Sequence, residues 1–262
     1  MDKVLESQYT IGFIYKNYGL KTFRINNKVG MLSHENKILI PPFYSSIELS
    51  KCGYIVVSFN GKKTLFNFCG EQLLPFKYQD IYPTEFGLIP VSTNGKWGFL
   101  NEKLQEIVPT VYDLYDKDKS GTILINRNNK WGFINGYTGE LIVPPIYDSI
   151  GYAGVIDRFE FPELPGDDPR VYSPSPHFNY GLASFKLNDK WGFIDTKGVI
   201  KIPPVWDWVD NLGFYTGVAT VYRWERKFYI RKAFKKFYKM KAFKIDTSGK
   251  ILCEIIELDA KS

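Results

Sequence analysis

Histidine is nearly absent from this chain of 262 residues: there are two, His34 and His177. Acid–base and nucleophilic catalysis most often recruits a histidine next to a nucleophile or a carboxylate. Neither histidine lies beside a glycine-flanked serine or a reactive cysteine, and both read as exposed turn residues. Cysteine is also scarce. Cys52, Cys69 and Cys253 form no C-x-x-C pair, which argues against a disulfide scaffold or a structural zinc site and fits a reducing compartment. No stretch of eighteen apolar residues occurs, and residues 1–7 lack the apolar centre of a signal peptide. The expectation is a soluble, cytoplasmic protein. There is no G-x-x-x-x-G-K-[ST] phosphate loop. Asp116-Lys117-Asp118-Lys119-Ser120-Gly121 begins like a calcium loop but has Arg127 at the twelfth place, where a bidentate glutamate is needed. These gaps predict no catalytic residue, no metal, no cofactor and no enzyme.

Aromatic residues, by contrast, make up 17% of the chain, and 22 glycines and 15 prolines punctuate it, a mixture that favours short strands and tight turns over long helices. The net charge of +6 is unevenly spread. Residues 223–244 hold ten Lys/Arg and one Glu, a local +9, so the remainder carries 6 − 9 = −3. A mildly acidic body bears one basic element.

The organising stretch is Lys190-Trp191-Gly192-Phe193-Ile194-Asp195, with near copies at Lys96-Trp97-Gly98-Phe99-Leu100-Asn101 and Lys130-Trp131-Gly132-Phe133-Ile134-Asn135. Degraded copies put Val29, Lys63 and Ala242 at the tryptophan's place. Positions 29, 63, 97 and 131 are 34 residues apart; the later gaps, 60 and 51, are one period plus insertions of 26 and 17. A glycine opening the preceding segment (Gly19, Gly53, Gly87, Gly121, Gly181, Gly217) keeps the same phase. Turns such as Asn94-Gly95 and Asn188-Asp189 suit the positive φ of tight hairpins. The first five units run into proline, as in Val143-Pro144-Pro145, which removes a ladder donor and is expected to end the strand. Strand alternation puts Trp191 and Phe193 on one face and Gly192 and Ile194 on the other. Trp97, Trp131, Trp191, Phe99, Phe133 and Phe193 are therefore the expected repeat core. The Lys-Trp-Gly-Phe-Ile segment, the following x-x-Gly turn and the Ile-Pro-Pro-x-Tyr-Asp ending resemble the WG-containing β-repeat family over about residues 19–253. That resemblance implies an interaction module and brings no catalytic residues with it.

The expected fold is all-β. Six units of short antiparallel strands, near 9–43, 44–77, 78–110, 111–146, 147–205 and 206–255, make an open stacked array, with a closed six-bladed ring as the alternative. Two insertions interrupt it. Residues 151–180 form a proline-rich loop bearing Phe161 and Tyr172. In 223–240, Ile230, Ala233, Phe234, Phe237 and Met240 recur at helical spacing, while Arg231, Lys232, Lys235, Lys236 and Lys239 take the other face, which predicts a basic amphipathic helix. Asp113, Asp148 and Asp207 share one place in successive repeats and read as structural, bonding turn amides. Trp208 and Trp224 fall outside the repeat core and are the surface candidates. The functional expectation is a non-catalytic scaffold that meets an unidentified protein through the loop and the basic helix. The alternative is nucleic-acid or anionic-surface binding through 223–241, where aromatics interleave the charges.

Overall fold

Paired asparagines start the architecture. Asn94 and Gly95 have φ of 52° and 71°, Asn128 and Asn129 54° and 59°, and Asn188 and Asp189 50° and 60°. Two successive residues in the left-handed region make a two-residue hairpin whose twist matches its strands. The flanking residues pair accordingly: Thr93 with Lys96, Arg127 with Lys130, Leu187 with Lys190.

The computed structural model describes residues 9–84, 87–151, 178–210, 213, 214, 216–230 and 235–261; described side chains stop at 224, resume at 241 and end at 255. Phe161, Tyr172, Arg231 and Lys232 lie outside these residues. Among the described residues there are six antiparallel sheets and no α-helix. Sheet one is Thr10–Tyr15, Leu20–Ile25, Lys28–Leu32 and Ile38–Tyr44; sheet two is Ser46–Leu49, Ile55–Phe59 and Lys62–Phe66; sheet three is Asp80–Ile81, Ile89–Thr93, Lys96–Leu100 and Glu106–Tyr112. Sheet four is Leu114–Lys117, Thr122–Arg127, Lys130–Asn135 and Leu141–Tyr147; sheet five is Ser149–Ile150, Leu182–Leu187, Lys190–Asp195 and Ile200–Trp206; sheet six is Trp208–Val209, Val218–Ile230, Lys235–Asp246 and Ile251–Lys261. Sheets one to three lie in one compact unit and sheets four to six in a second.

Within each unit the core lies between consecutive sheets. Alternation along the Trp-Gly strand feeds both sides. In sheet five, Trp191 and Phe193 pack towards sheet six with Val209, Val221 and Ile245, while Ile194 packs towards sheet four with Leu124 and Phe133. In sheet two, Leu65 faces sheet three and Phe66 faces sheet one. Phe99, Phe133 and Phe193 are fully buried, whereas of the three repeat tryptophans only Trp191 is buried; Trp97 and Trp131 are half-buried. Phenylalanine, two residues on from the tryptophan, is the constant core residue of these three strands.

The prolines do not end the last strand. Ile38–Tyr44, Glu106–Tyr112, Leu141–Tyr147 and Ile200–Trp206 run through them. On sheet five, Trp191 pairs with Trp206 and Phe193 with Ile202, so two steps on one strand oppose four on the other. Pro203 and Pro204 occupy that bulge on an edge strand, where a missing N–H breaks no ladder bond. The bulged backbone folds over the repeat glycine. A Cβ on Gly192 would lie 2.5 Å from the Ile202 carbonyl oxygen; at Gly132 and Gly98 the nearest carbonyls, of Val143 and Val108, would be at 2.2 and 2.6 Å.

Sheet two shows what happens without that glycine. Thr64 takes its place and donates its hydroxyl to the Leu74 carbonyl, and the fourth strand is reduced to two isolated bridges, Phe66 with Gln72 and Lys63 with Tyr78.

The basic helix expected over 223–240 is replaced by strand. Val218–Ile230 pairs with Lys235–Asp246, from Val218 opposite Asp246 to Ile230 opposite Lys235. The insertion falls at the hairpin turn of the repeat, where the two strands are already in register. Adding ladder pairs to an existing hairpin avoids the cost of starting a helix. The residues concerned, including Phe228, Tyr229, Phe237 and Tyr238, also favour extended backbone.

Replacing Gly192 by Ala should therefore destabilise the chain by about 1–3 kcal/mol, although Gly→Ala at an unstrained position normally stabilises. A lower urea midpoint, followed by tryptophan fluorescence, is the expected result.

Candidate functional site

A lysine–aspartate pair recurs where one sheet hands over to the next. Lys63 pairs with Asp80 (2.9 Å), Lys96 with Asp113, Lys130 with Asp148 and Lys190 with Asp207. In the last three pairs the lysine opens the Trp-Gly strand; Lys63 instead takes the tryptophan's place in sheet two. In those three the aspartate follows the aromatic residue that closes the same sheet, so the strand pairing that sets Trp191 opposite Trp206 also brings Lys190 to Asp207. The second carboxylate oxygen reaches forward. Asp148 Oδ2 accepts the Asn188 N–H (3.0 Å), Asp207 Oδ2 the Trp224 N–H (2.8 Å) and Asp80 Oδ2 the Ser92 hydroxyl (3.1 Å). Each of these three carboxylates thus joins a lysine of one sheet to the hairpin of the next. The structural reading of Asp148 and Asp207 agrees with this, down to the turn amide at Asn188. Sequence reasoning missed the lysines, although a nearly constant spacing of 17 or 18 residues was available as a signal.

At the other end of the sheets, carboxylate or amide oxygens cap the turns. Asp195 Oδ1 accepts from the Lys197 and Val199 N–H groups, Asn101 Oδ1 from Lys103 and Gln105, and Asn67 Oδ1 from Cys69 and Glu71. The turn glycine then packs on the preceding sheet: a Cβ at Gly198 would be 2.9 Å from Val143, and one at Gly70 2.4 Å from the Leu39 carbonyl. The polar groups aligned by the repeat are thus spent on one another. In the first unit, an open cleft of about 850 Å³ includes Lys51, Cys52, Tyr54, Lys103 and Tyr137. Among the described residues no three His, Cys, Asp or Glu side chains are placed to hold a metal.

The feature that departs from the repeat is the hairpin of sheet six. Asp207 N–H donates to the Tyr222 carbonyl as Asp148 N–H does to Lys186, which aligns Trp224 with Asn188, the first turn residue of sheet five. The strand that should turn at Trp224 instead runs on to Ile230, and its partner returns from Lys235. This overhang is a basic arm. Its root is packed with aromatics: Trp208 lies edge-on to Trp191 (6.1 Å), Trp206 against Phe243 (5.8 Å), and the Arg223 guanidinium sits 4.7 Å over the Trp206 ring. Trp208 and Trp224, the expected surface tryptophans, are both half-buried at this root. Lys235, Lys236 and Lys239 lie on the returning strand. The central strand has acidic residues at register positions on both sides: Lys239 opposite Glu225 and Asp259, and Lys241 opposite Glu257. Lys241 also pairs with Glu254 at 3.5 Å.

The proline-rich insertion and the arm leave the second unit at opposite ends of its strands. Ile150 pairs with Phe185, so the chain leaves Gly151 at the end where Leu182 pairs with Asp195. Tyr180, where the chain re-enters, lies beside Gly217 at the base of the arm's first strand. The arm's tip is at the far end.

Small antiparallel sheets, a Trp-Gly strand under a proline bulge and a clamp at most junctions define an all-β repeat protein. A model of the WG containing repeat matches residues 30–62, 70–97, 97–131, 131–153 and 191–221, and the chain belongs to that family. No curated protein matches it. Among solved structures it is similar to a eukaryotic initiation factor (9% identity, TM-score 0.37, covering 96% of this chain and 65% of that one). It is also similar to the CNH domain of AfRom2 (10%, TM-score 0.27, 97% and 79%) and to the WD40 domain of SCAP from fission yeast (8%, TM-score 0.24, 97% and 86%). The chain spans 65% and 55% of the lengths of the first two structures it matches. Among the described residues no helix is long and apolar enough to cross a membrane.

The clamps make stability depend on acid. The hydrogen bond from Lys130 holds the Asp148 carboxyl below its ordinary range, and Lys63 does the same to Asp80. A lowered carboxylate pKa stabilises the fold above the unfolded value, near 3.9, and the contribution is lost as pH falls through the folded value. Asp148→Asn should lower stability by about 1 kcal/mol at pH 7, a partly exposed pair being worth no more. The difference from the parent chain should shrink below about pH 4 and vanish near pH 2 in denaturation curves.

Proposed function

We propose that the protein is a non-catalytic interaction scaffold and that its basic arm engages an acidic protein partner. The observation that carries this is the overshoot of one hairpin. Its strands span 13 and 12 residues where the corresponding strands of the other sheets span five or six, and it belongs to a segment with ten of the chain's 34 Lys/Arg. Protruding backbone of this kind buries little of its own chain, and a one-signed charge on it exceeds what solubility needs. The aromatic root holds the arm to the second unit, so a ligand at the tip meets a positioned element. The clamps and turn caps offer no unspent acid–base pair, which favours binding over turnover.

A second reading, nucleic acid or an anionic surface, is favoured by the same charge together with Phe228, Tyr229, Phe237 and Tyr238. The acidic residues flanking the central strand at Glu225, Glu257 and Asp259 favour a protein, because a phosphate backbone is best met by an unbroken basic surface. The proline-rich insertion, leaving from the opposite end, offers a second and separable contact.

The test is to replace residues 226–238 with Asn-Gly, joining Glu225 to Lys239, which already face each other. The shortened chain should keep its thermal midpoint within about 4 °C, since little core is removed. It should also lose the acidic proteins that the intact chain retains from nuclease-treated extract. If both chains retain the same proteins, the arm is not the contact. If only the intact chain binds single-stranded RNA or phosphatidylserine vesicles, with affinity falling steeply with salt, the anionic reading replaces this one.

A further inference from the structure

Between its third and fourth strands, sheet three turns on an unusual residue. At the corresponding turns of sheets two, five and six, Gly70, Gly198 and Gly249 have positive φ, and a Cβ on them would stand 2.4, 2.9 and 3.1 Å from the last strand of the preceding sheet. Sheet three has Leu104 there, at φ 60°, a conformation that leucine avoids. The wall is what differs: sheet two, which precedes it, has only the isolated bridges of Phe66 with Gln72 and Lys63 with Tyr78 in place of a fourth strand. Leu104 packs instead against the core that holds Leu65 and Leu74, as does Tyr54. The cleft of about 850 Å³ opens beside this turn, with Leu88 and Ile89 as its buried apolar lining. Its volume falls among those of small-molecule sites, about 300–1,000 Å³.

The charged groups of this cleft stand on fixed backbone and are unspent. Lys51 lies in a loop closed by the Ser50 N–H on the Tyr54 carbonyl (2.8 Å) and by the Tyr54 N–H on the Ser50 hydroxyl (3.1 Å). Glu102 and Lys103 lie in the turn that the Asn101 side chain caps. Among the described residues, none of these three side chains has an ion-pair partner. The Gln105 side-chain carbonyl accepts from Asn101 Nδ2 (3.0 Å), which leaves its N–H groups for a ligand. Tyr137, 64% exposed, adds an aromatic ring to the lining. Two unpaired ammonium groups call for an anion. A carboxylate and a primary amide call for hydroxyls, which donate to the first and accept from the second. We propose that the cleft binds an anionic sugar, a small hydroxylated ring bearing a phosphate or a carboxylate, with Lys51 and Lys103 on the anionic group and Glu102 and Gln105 on the hydroxyls. The site does not depend on what the basic arm binds.

Calorimetric titration of the full chain with glucose 6-phosphate, glucuronate and adenosine monophosphate separates the sources of the anion, and at least one should bind with a Kd of about 1 mM or tighter. Glucose and inorganic phosphate, each carrying half of the chemistry, should bind at least about tenfold more weakly. Lys51→Gln with Lys103→Gln should weaken binding of the anionic sugar about tenfold. The thermal midpoint should stay where it is, both side chains being exposed. Glu102→Gln should also weaken the sugar, yet strengthen inorganic phosphate, because the carboxylate repels a bare anion. No binding by any of the three probes would overturn the proposal. So would affinity that the double substitution leaves unchanged, or inorganic phosphate binding as tightly as the best probe. Should the double variant fail to fold, Glu102→Gln decides alone, and a change of the same sign for both ligands is the refuting result.

Discussion

The close approach of a proline-bulged edge strand to a side-chain-free residue governs how each sheet is completed. Gly30, Gly98, Gly132 and Gly192 leave room for the carbonyl that the bulge pushes inward, from Ile40, Val108, Val143 and Ile202. The bulge in turn sets the closing aromatic opposite the repeat tryptophan, as Tyr147 stands opposite Trp131 and Trp206 opposite Trp191. The aspartate one residue later then falls within reach of the lysine beside that tryptophan. One packing requirement at glycine thereby fixes the geometry of the ion pair and of the hairpin it holds.

The repeat was legible because its constraints are local. Period-two alternation separated Phe193 from Ile194, and they face different neighbouring sheets as that alternation requires. The Asn pairs announced positive φ, and the backbone adopts it at Asn94, Asn128 and Asn188. The prolines were misread because removal of a donor was equated with strand termination. On an edge strand the donor faces no neighbour, and the chain continues. The tryptophans were over-weighted for their size: Trp97 and Trp131 stand near an open strand end and bury less than the phenylalanine two residues on.

The candidate site was legible in composition and misplaced in conformation. Ile230, Ala233, Phe234, Phe237 and Met240 make a helical stripe on paper, but the spacing counts through a hairpin whose strands are already paired at Val218–Tyr222 and Ala242–Asp246. Tertiary context overrides such a pattern when register is supplied from outside the segment. The lysines of the clamps escaped notice for the opposite reason. They sit in the most regular part of the motif, where a charged residue reads as solubilising surface, and only the fold shows each one meeting an aspartate 17 or 18 residues later.

The arm follows from the same packing requirement, applied where the motif has eroded. At the glycine position, sheet two has Thr64 and sheet six has Phe243. Thr64 caps the Leu74 carbonyl with its hydroxyl, and the fourth strand dissolves into two bridges. Phe243 is too large for any carbonyl to fold over it, and its ring packs on Trp206 instead. The last strand of sheet six, without proline, then has no reason to make the four-residue bulge. It follows its neighbour with single-residue irregularities between Ala242 and Phe243 and between Lys244 and Ile245. From Ala242 outward the pairing is one for one, so the strand continues past the point where the others stop, and its partners continue with it. Loss of the glycine–proline pair thus frees the last strand of sheet six from the four-residue bulge and permits the long basic hairpin, which makes the extension of sheet six a consequence of one substitution in the repeat.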